Sequence, residues 1–332
     1  MIDILLATYN GEKYIHKQID SILAQDCQEW VLYIRDDGSS DSTPMILNAY
    51  AQSHPGKIHL IEDTQGNLGF CKNFKQLMHY SKSQYTMFCD QDDIWAKDKL
   101  STELSCMQEA EKENGNMPIL VFSDLEAIDE KDDLLYRSFI RKNKFEIYPL
   151  LFPKLLYNNV VTGCTVMMNG QLRSHVLQMP DNVKCHDHWS ALTCLLNNGK
   201  MVYLDKACVS YRQHTDNCIG DLSLSFYEKA KKLFTLSKYS EGKKRTIQHY
   251  VDLEQQITLL AQTYPDKHNA NGCDANKCLL LEQLINIWQL PAYKRIRVLC
   301  RNGCFPHDWY KKLVMLAYYL SWGRETRKDP TP

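Results

Sequence analysis

Apolar runs and helix-spaced apolar positions take turns along the first third of the chain. Ile2 to Thr8 is an apolar run of the kind that fills a strand buried on both faces. Ile15, Ile19, Ile22 and Leu23 then recur at the spacing of one helix face. Trp30 to Arg35 reads as a second strand, and a helix from about Ser42 is stopped by Pro55-Gly56. Ile58 to Ile61 predicts a third strand, and Phe70, Phe74, Leu77 and Met78 mark a third helix. Tyr85 to Cys89 is a fourth strand; a helix with Leu100, Leu104 and Met107 and a strand at Ile119 to Phe122 follow. This βαβαβαβα order predicts an α/β fold, Rossmann-like, with a mainly parallel sheet flanked by helices.

Bound molecules in such sheets lie beyond the carboxyl ends of the strands. Three polar clusters fall there: Thr8-Tyr9-Asn10-Gly11-Glu12, Asp36-Asp37-Gly38-Ser39, and Asp90-Gln91-Asp92-Asp93-Ile94-Trp95. The last sets three carboxylates within four residues. Such a cluster is costly unless it is solvated, paired or bound to a cation. It fits a turn whose last Asp caps a helix, and it equally fits oxygen ligands for Mg²⁺ shared with substrate phosphates. Convergence of three clusters on one sheet edge favours the second reading.

The middle of the chain alternates less cleanly. Asn159 to Met168 looks like a strand entered through a polar loop. Cys185-His186-Asp187-His188-Trp189 opens a helix, and Val209 to His214 ends another strand. From about Ser225 the pattern is helical, broken at Asn269 to Gly272. The expected division is therefore a domain over 1–224, with halves of about 1–125 and 126–224, and a helical C-terminal region over 225–332.

Composition changes this picture in two places. The net charge of −1 hides an asymmetry: residues 225–332 hold 18 Lys+Arg against 10 Asp+Glu, net +8, which leaves −9 on residues 1–224. A basic end on an acidic body suits an anionic surface. The 13 cysteines are scattered, and Cys273/Cys278 and Cys300/Cys304 lack the paired spacing of a zinc site. Without a signal-peptide layout or a spanning apolar run, they read as reduced thiols and the protein as cytoplasmic.

Ala7-Thr8-Tyr9-Asn10-Gly11, Arg35-Asp36-Asp37-Gly38-Ser39, Gly66-Asn67-Leu68-Gly69 with Asn73, and Asp90-Gln91-Asp92-Asp93 stand in an order and spacing that resembles glycosyltransferase family 2. The resemblance covers about residues 1–220 and implies the GT-A fold and a nucleotide-sugar donor. A narrower likeness, to bacterial rhamnosyltransferase-like members, rests on Asp90 through Trp95, Asn159 through Thr165, His186-Asp187-His188-Trp189 and Tyr211-Arg212-Gln213-His214.

The resemblance assigns roles. Thr8, Tyr9 and Glu12 stand at the base and ribose end, Asp37 at the pyrimidine edge, and Asn67, Gly69 and Asn73 in the third nucleotide segment. Asp90 and Gln91 lie toward the ribose, and Asp92 with His214 toward a Mg²⁺ or Mn²⁺ ion. Asp93, Trp95, Asn159, Thr162, Gly163, His186, His188, Trp189 and Arg212 are expected around the donor and acceptor sugars. Asp187, at a helix start where a carboxylate is favoured, is the expected catalytic base. The implied reaction is a single inverting, non-processive displacement, with dTDP-rhamnose the best-matching donor and a lipid-linked glycan of a bacterial surface polysaccharide as acceptor.

The basic end carries Lys229, Lys231, Lys232, Lys243, Lys244 and Arg245, then Lys294, Arg295, Arg297, Arg301, Lys311 and Lys312 among Trp309, Tyr310, Tyr318, Tyr319 and Trp322. Aromatics beside basic residues suit a helix at an anionic membrane interface, which makes the protein peripheral at the inner face of the cytoplasmic membrane. A helical cap on the catalytic domain or on a second subunit, as in a homodimer, fits the same pattern. No nucleic-acid partner is expected. A nucleotidyltransferase and a catalytically inert nucleotide-sugar-binding regulator are the competing functions; the first leaves Asp187 without a role, and the second does not need the full acidic set.

Overall fold

The computed structural model describes residues 1–214, 236–265, 273–306 and 308–322. The chain divides into two compact units, residues 1–147 with 160–214, and residues 148–159 with 215–332. Tyr148–Asn159, expected within the first domain, thus belongs with the C-terminal residues. The expected boundary near Ser225, Lys229, Lys231, Lys232 and the break at 269–272 lie outside the described residues.

The first unit is built as the apolar pattern requires. In chain order it runs β1 (Ile2–Thr8), α1 (Ile15–Leu23), β2 (Trp30–Asp36), α2 (Thr43–Ser53), β3 (Ile58–Leu60), α3 (Phe70–Met78), β4 (Tyr85–Cys89), β5 (Ile94–Trp95), α4 (Lys99–Asn114) and β6 (Ile119–Ile128). β7 (Leu134–Tyr136) and α5 (Phe139–Asn143) follow. After α6 (Phe152–Leu155), which lies in the second unit, come β8 (Val166–Asn169), α7 (Gly170–Val176), α8 (His186–Leu196) and β9 (Lys200–Arg212).

The strands form one sheet in the order β3-β2-β1-β4-β8-β6-β9-β5, with β7 beside β6. β1, β2, β3, β4, β6 and β9 all run in one direction; β8, inserted between β4 and β6, runs against them, as do β5 and β7. The sheet is therefore mainly parallel by strand direction, yet mixed in its ladders. Register brings Thr8 level with Asp36 and Ile128 level with Arg212, so these strand ends share one edge. Ile4, Leu6, Leu32, Ile34, Met87, Cys89 and Val121 fill the core under helix-borne Ile15, Ile19, Ile22, Leu47 and Leu100.

Among its described residues the second unit holds α6 and four helices, α9 (Leu236–Thr263), α10 (Ala275–Ile285), α11 (Ala292–Arg301) and α12 (Trp309–Ala317), the last running into a π-helical turn, Tyr318–Trp322. Its centre is aromatic. Tyr250 stacks on Tyr318 at 4.7 Å, Trp288 stacks on Tyr319 at 5.4 Å, and the Tyr157 and Tyr319 hydroxyls meet at 3.0 Å. Tyr318 and Tyr319, expected on an interfacial surface, are core residues of this unit. Arg295 is buried too: its guanidinium lies over Trp288 and donates to the carbonyls of Leu290 and Tyr319. A helix packed on aromatic neighbours offers more apolar burial inward than outward, which overrides the surface reading of its pattern. No helix among the described residues is long and apolar enough to cross a membrane.

Candidate active site

The sheet edge carries the acidic turn between β4 and β5. Asp92 Oδ2 lies 2.8 Å from His214 Nε2, a contact that closes 122 residues of chain. The His214 ring packs on Tyr14 at 5.3 Å. Asp90, Asp93 and Cys164 each place a ligand-type atom within 4.8 Å of the others. Burial, then the charges of Asp92 and Asp187, pushes the Asp90 carboxyl up to about 7. Burial, then Asp92 and Asp90, drives Asp93 well above the usual carboxylate range. Buried Asp93 Oδ2 has no hydrogen-bond partner. A set of crowded carboxylates beside an imidazole is the donor chemistry of Mg²⁺ or Mn²⁺ rather than of a soft metal.

Several residues expected around the sugars are buried or fall outside the first unit. Asp93 is fully buried, and its Oδ1 accepts from the Arg212 backbone N–H at 3.1 Å. The Arg212 guanidinium is equally buried: it donates to the carbonyls of Asp92 and Asp129, pairs with Asp132 at 2.6 Å, and lies over the Tyr14 ring. It thereby ties the acidic turn to Asp129 and Asp132. Trp95 is drawn into the core because β5 pairs with β9, and Lys99 Nζ sits over its ring. Trp189 is wholly buried on α8. Asn159 belongs to the second unit.

The nucleotide-side residues divide similarly. The Gln91 amide grips the Tyr9 backbone, accepting from its N–H at 2.8 Å and donating to its carbonyl at 3.0 Å. A Cβ on Gly11 would displace that amide, so glycine there lets Gln91 keep its grip on Tyr9. Tyr9 itself is exposed, and Thr8 Oγ1 donates to Asp36. Exposed Glu12 accepts from the Ser42 N–H just before α2, a helix N-terminus that favours a carboxylate. Asp37 is turned inward: it accepts from Arg35 at 2.6 Å and from the N–H groups of Leu68 and Gly69 at 2.8 Å each. Arg35 also pairs with Asp63 and donates to the Gly66 carbonyl. A buried guanidinium needs such counter-charge, and Asp37 also ties down the Leu68 and Gly69 N–H groups of the Gly66–Gly69 loop. Buried Asn73 joins α3 to the Arg35 backbone and guanidinium. Asn67 stays exposed on the loop, and Gly69 takes a φ of +76°, the left-handed region that glycine tolerates.

Asp187 sits in the first turn of α8, buried, with three donors on its carboxylate. Gly163 N–H reaches Oδ2 at 3.1 Å; the Cys185 thiol reaches Oδ1 at 2.8 Å; the His188 N–H also donates to Oδ1. Gly163 has to be glycine, since a Cβ would stand 2.8 Å from His186 Nε2. His186 is wedged between Phe74, stacked at 4.2 Å, and Phe88, edge-on at 4.6 Å. Burial lowers its pKa to about 4, so the ring is neutral at physiological pH. Thr162 lies at the start of the short helical turn before β8, its carbonyl accepting from Thr165. His188 is buried within α8. The structure thus brings Asp90, Asp92, His214 and Asp187 to one edge, since the Asp187 charge acts on Asp90.

Arg35, Cys164, Cys185 and Asp132 were not singled out in the sequence. Arg35 opens the Asp36-Asp37 motif, Cys164 follows Gly163 inside the Asn159–Thr165 stretch, and Cys185 stands two residues before Asp187, so adjacency to a motif was the available signal; nothing local marks Asp132.

Residues 3–160 match the family model described as glycosyl transferase family 2. A Shigella flexneri protein named dTDP-rhamnosyl transferase RfbG is 27% identical over 69% of this chain and 78% of its own length. A Bacillus subtilis protein named putative teichuronic acid biosynthesis glycosyltransferase TuaG is 26% identical over 66% of this chain and 81% of its own. Among solved structures, TarS 1–349 of S. aureus superposes with a TM-score of 0.53 at 16% identity, over 98% of this chain and 91% of that one. A Pyrobaculum calidifontis mannosyltransferase in complex with GDP-Man and Mn²⁺ gives 0.55 at 15% identity, over 99% and 88%. Both show the fold.

Proposed function

We propose that this chain, a member of glycosyl transferase family 2 through its residues 3–160, transfers a sugar from a nucleoside-diphosphate donor to a hydroxyl of a surface-polysaccharide acceptor, with inversion. Family membership makes it a glycosyltransferase. The observation that carries the mechanism is the meeting of Asp92 with His214 on the edge where Asp187 acts on Asp90. Thr8, Tyr9, Gln91 and Asn67 receive the nucleoside, and Asp37 holds the loop that carries Asn67. Asp92 and His214, with Asp90 beside them, would hold a Mg²⁺ or Mn²⁺ ion, which would supply charge neutralisation for the departing nucleoside diphosphate.

Asp187 takes the proton of the acceptor hydroxyl as that oxygen attacks the anomeric carbon from the face opposite the leaving group. General-base help of this kind contributes about 10²–10⁴-fold. Asp187→Asn is therefore expected to cut nucleoside-diphosphate release by at least about 10²-fold while donor affinity, read by calorimetry, holds. Near-normal turnover removes Asp187 from the role. The dTDP-rhamnosyl name of the Shigella relative supports dTDP-rhamnose as donor; a thermal-shift screen of dTDP-rhamnose, UDP-N-acetylglucosamine and GDP-mannose with Mn²⁺ decides, since a ligand of the folded state raises its melting temperature.

The acceptor reading is a lipid-linked glycan at an anionic membrane face. Its support is the second unit, where Tyr293 (67% exposed), Trp309 (64%) and Leu313 (53%) stand outward near exposed Lys294, Arg297, Lys311 and Lys312. Vesicles with anionic lipid should co-sediment the protein at low salt, and Trp309→Ala should weaken this. A surface covered by a second copy predicts instead a dimer in sedimentation velocity and no lipid binding.

A further inference from the structure

We infer that Cys185 is a positioning residue for the Asp187 carboxylate, its thiol fixing Oδ1 for proton transfer. The inference rests on the reading of Asp187 as the base and adds a residue to it. Cys185 immediately precedes α8, the place where Ser, Thr, Asp or Asn usually accepts a helix N–H. It makes no close cap hydrogen bond, although the His188 N–H acts on its sulfur. It donates forward, 2.8 Å to Asp187 Oδ1. Helix capping alone therefore does not account for the approach of the thiol to the carboxylate two residues on.

The chemistry suits a donor. Burial first, and then the Asp187 charge and hydrogen bond, raises the Cys185 thiol far above its ordinary value, so it keeps its proton at any pH at which the enzyme works. A protonated thiol beside an ionised carboxylate can only donate. The His188 N–H shares Oδ1 and the Gly163 N–H holds Oδ2, so two of the three named donors are backbone groups fixed by α8 and by the turn before β8. Cys185 is the named donor that a side-chain substitution can remove. Among the described residues, titratable groups that share a charge interaction with the carboxylate include Asp90 on the acidic turn, Cys71 on α3, and Cys185 and His186 at the entrance of α8. Burial, with the Asp187 charge second, pushes Cys71 up to about 12, and His186 is neutral, so no cation among these four holds the carboxylate in place of the thiol.

Two measurements test this. The first needs no substrate: the infrared S–H stretch of Cys185, isolated as the wild-type minus Cys185→Ala difference, should move to higher frequency in Asp187→Ala, where its acceptor is gone. An unmoved band overturns the contact. The second is nucleoside-diphosphate release from whichever of dTDP-rhamnose, UDP-N-acetylglucosamine and GDP-mannose is turned over. Cys185→Ala should lower kcat about 10-fold, the worth of one lost hydrogen bond, with donor affinity unchanged, and Cys185→Ser should restore it to within about threefold. Cys185→Val replaces the alanine variant if that one melts early. Equal rates for wild type and Cys185→Ala, or a serine variant as slow as the alanine one, overturn the positioning role. If Asp187→Asn turns over normally, the base reading falls and this role falls with it, while the band shift still reports whether the contact exists.

Discussion

Two aspartates near opposite ends of the parallel strands are buried under contrasting terms. Asp3, at the start of β1, takes four donors: Ser81 Oγ and the Lys82 and Ser83 N–H groups on Oδ2, and Ser83 Oγ on Oδ1. Asp93, just past the end of β4, takes the Arg212 N–H on Oδ1 and the weak help of the Cys164 thiol, and no donor among the described residues reaches its buried Oδ2 within hydrogen-bond distance. Asp90 beside it is pushed up to about 7. One carboxylate is satisfied by its own fold; the other cluster is left wanting charge. Buried polar groups in native proteins are ordinarily paired, so the difference sets a stabilising residue against a cluster whose incomplete pairing supports the proposed cation site.

The contrast can be broken by substitution. The largest effect is expected at the unsatisfied end: Asp92→Ala should lower transfer by about 10²-fold or more and abolish the Mn²⁺-dependent thermal shift, with the metal-free melting temperature unchanged or higher. A metal-dependent shift that survives would show that the cluster is not the cation site. At the satisfied end, Asp3→Ala should destabilise the fold by about 2 kcal/mol, since it orphans part-buried donors, and leave donor affinity alone; a urea titration measures it. Smaller is the pH response of the metal-free protein. Folded Asp90 holds its proton more tightly than in the unfolded chain, so stability should fall as pH rises from near 3.8 through about 7. Asp90→Asn should flatten that slope, and a slope unchanged by the substitution would disprove the link. Least of all, Lys17→Ala, which removes a half-exposed pair with Asp132, should shift stability by no more than about 0.5 kcal/mol.

The strand-helix alternation was legible because each segment is apolar at its own period, and the motifs were legible because they sit where strands end. Side-chain direction was not. Arg212 reads as a cation beside a histidine in the sequence, yet the pairing of Ile94 with Ser210 and Leu125 with Val209 turns it under the acidic turn. β5 is two residues long, too short for any periodic signal, and it alone decides that Trp95 belongs to the core. Asp37 was placed by likeness to a motif; that Arg35 beside it would be buried and demand its charge depends on Asp63 and the Gly66 carbonyl, which lie a strand and a loop away. Tyr318, Tyr319 and Arg295 carried the right residue types for an interface and lost that role to one another and to Trp288 and Tyr250.

The Asp92–His214 contact also bears on how the protein is made. Closing so long a segment is slow compared with forming neighbouring strands and helices, and synthesis proceeds from the N-terminus at a few residues per second. A nascent chain that has just released β4 has the acidic turn and none of its partners from β9. For the seconds until His214 emerges, the turn is a bare anionic loop, and any fragment ended earlier keeps the strands without the histidine half of the site. On the proposed roles of Asp92 and His214, competence is acquired only once translation has passed β9.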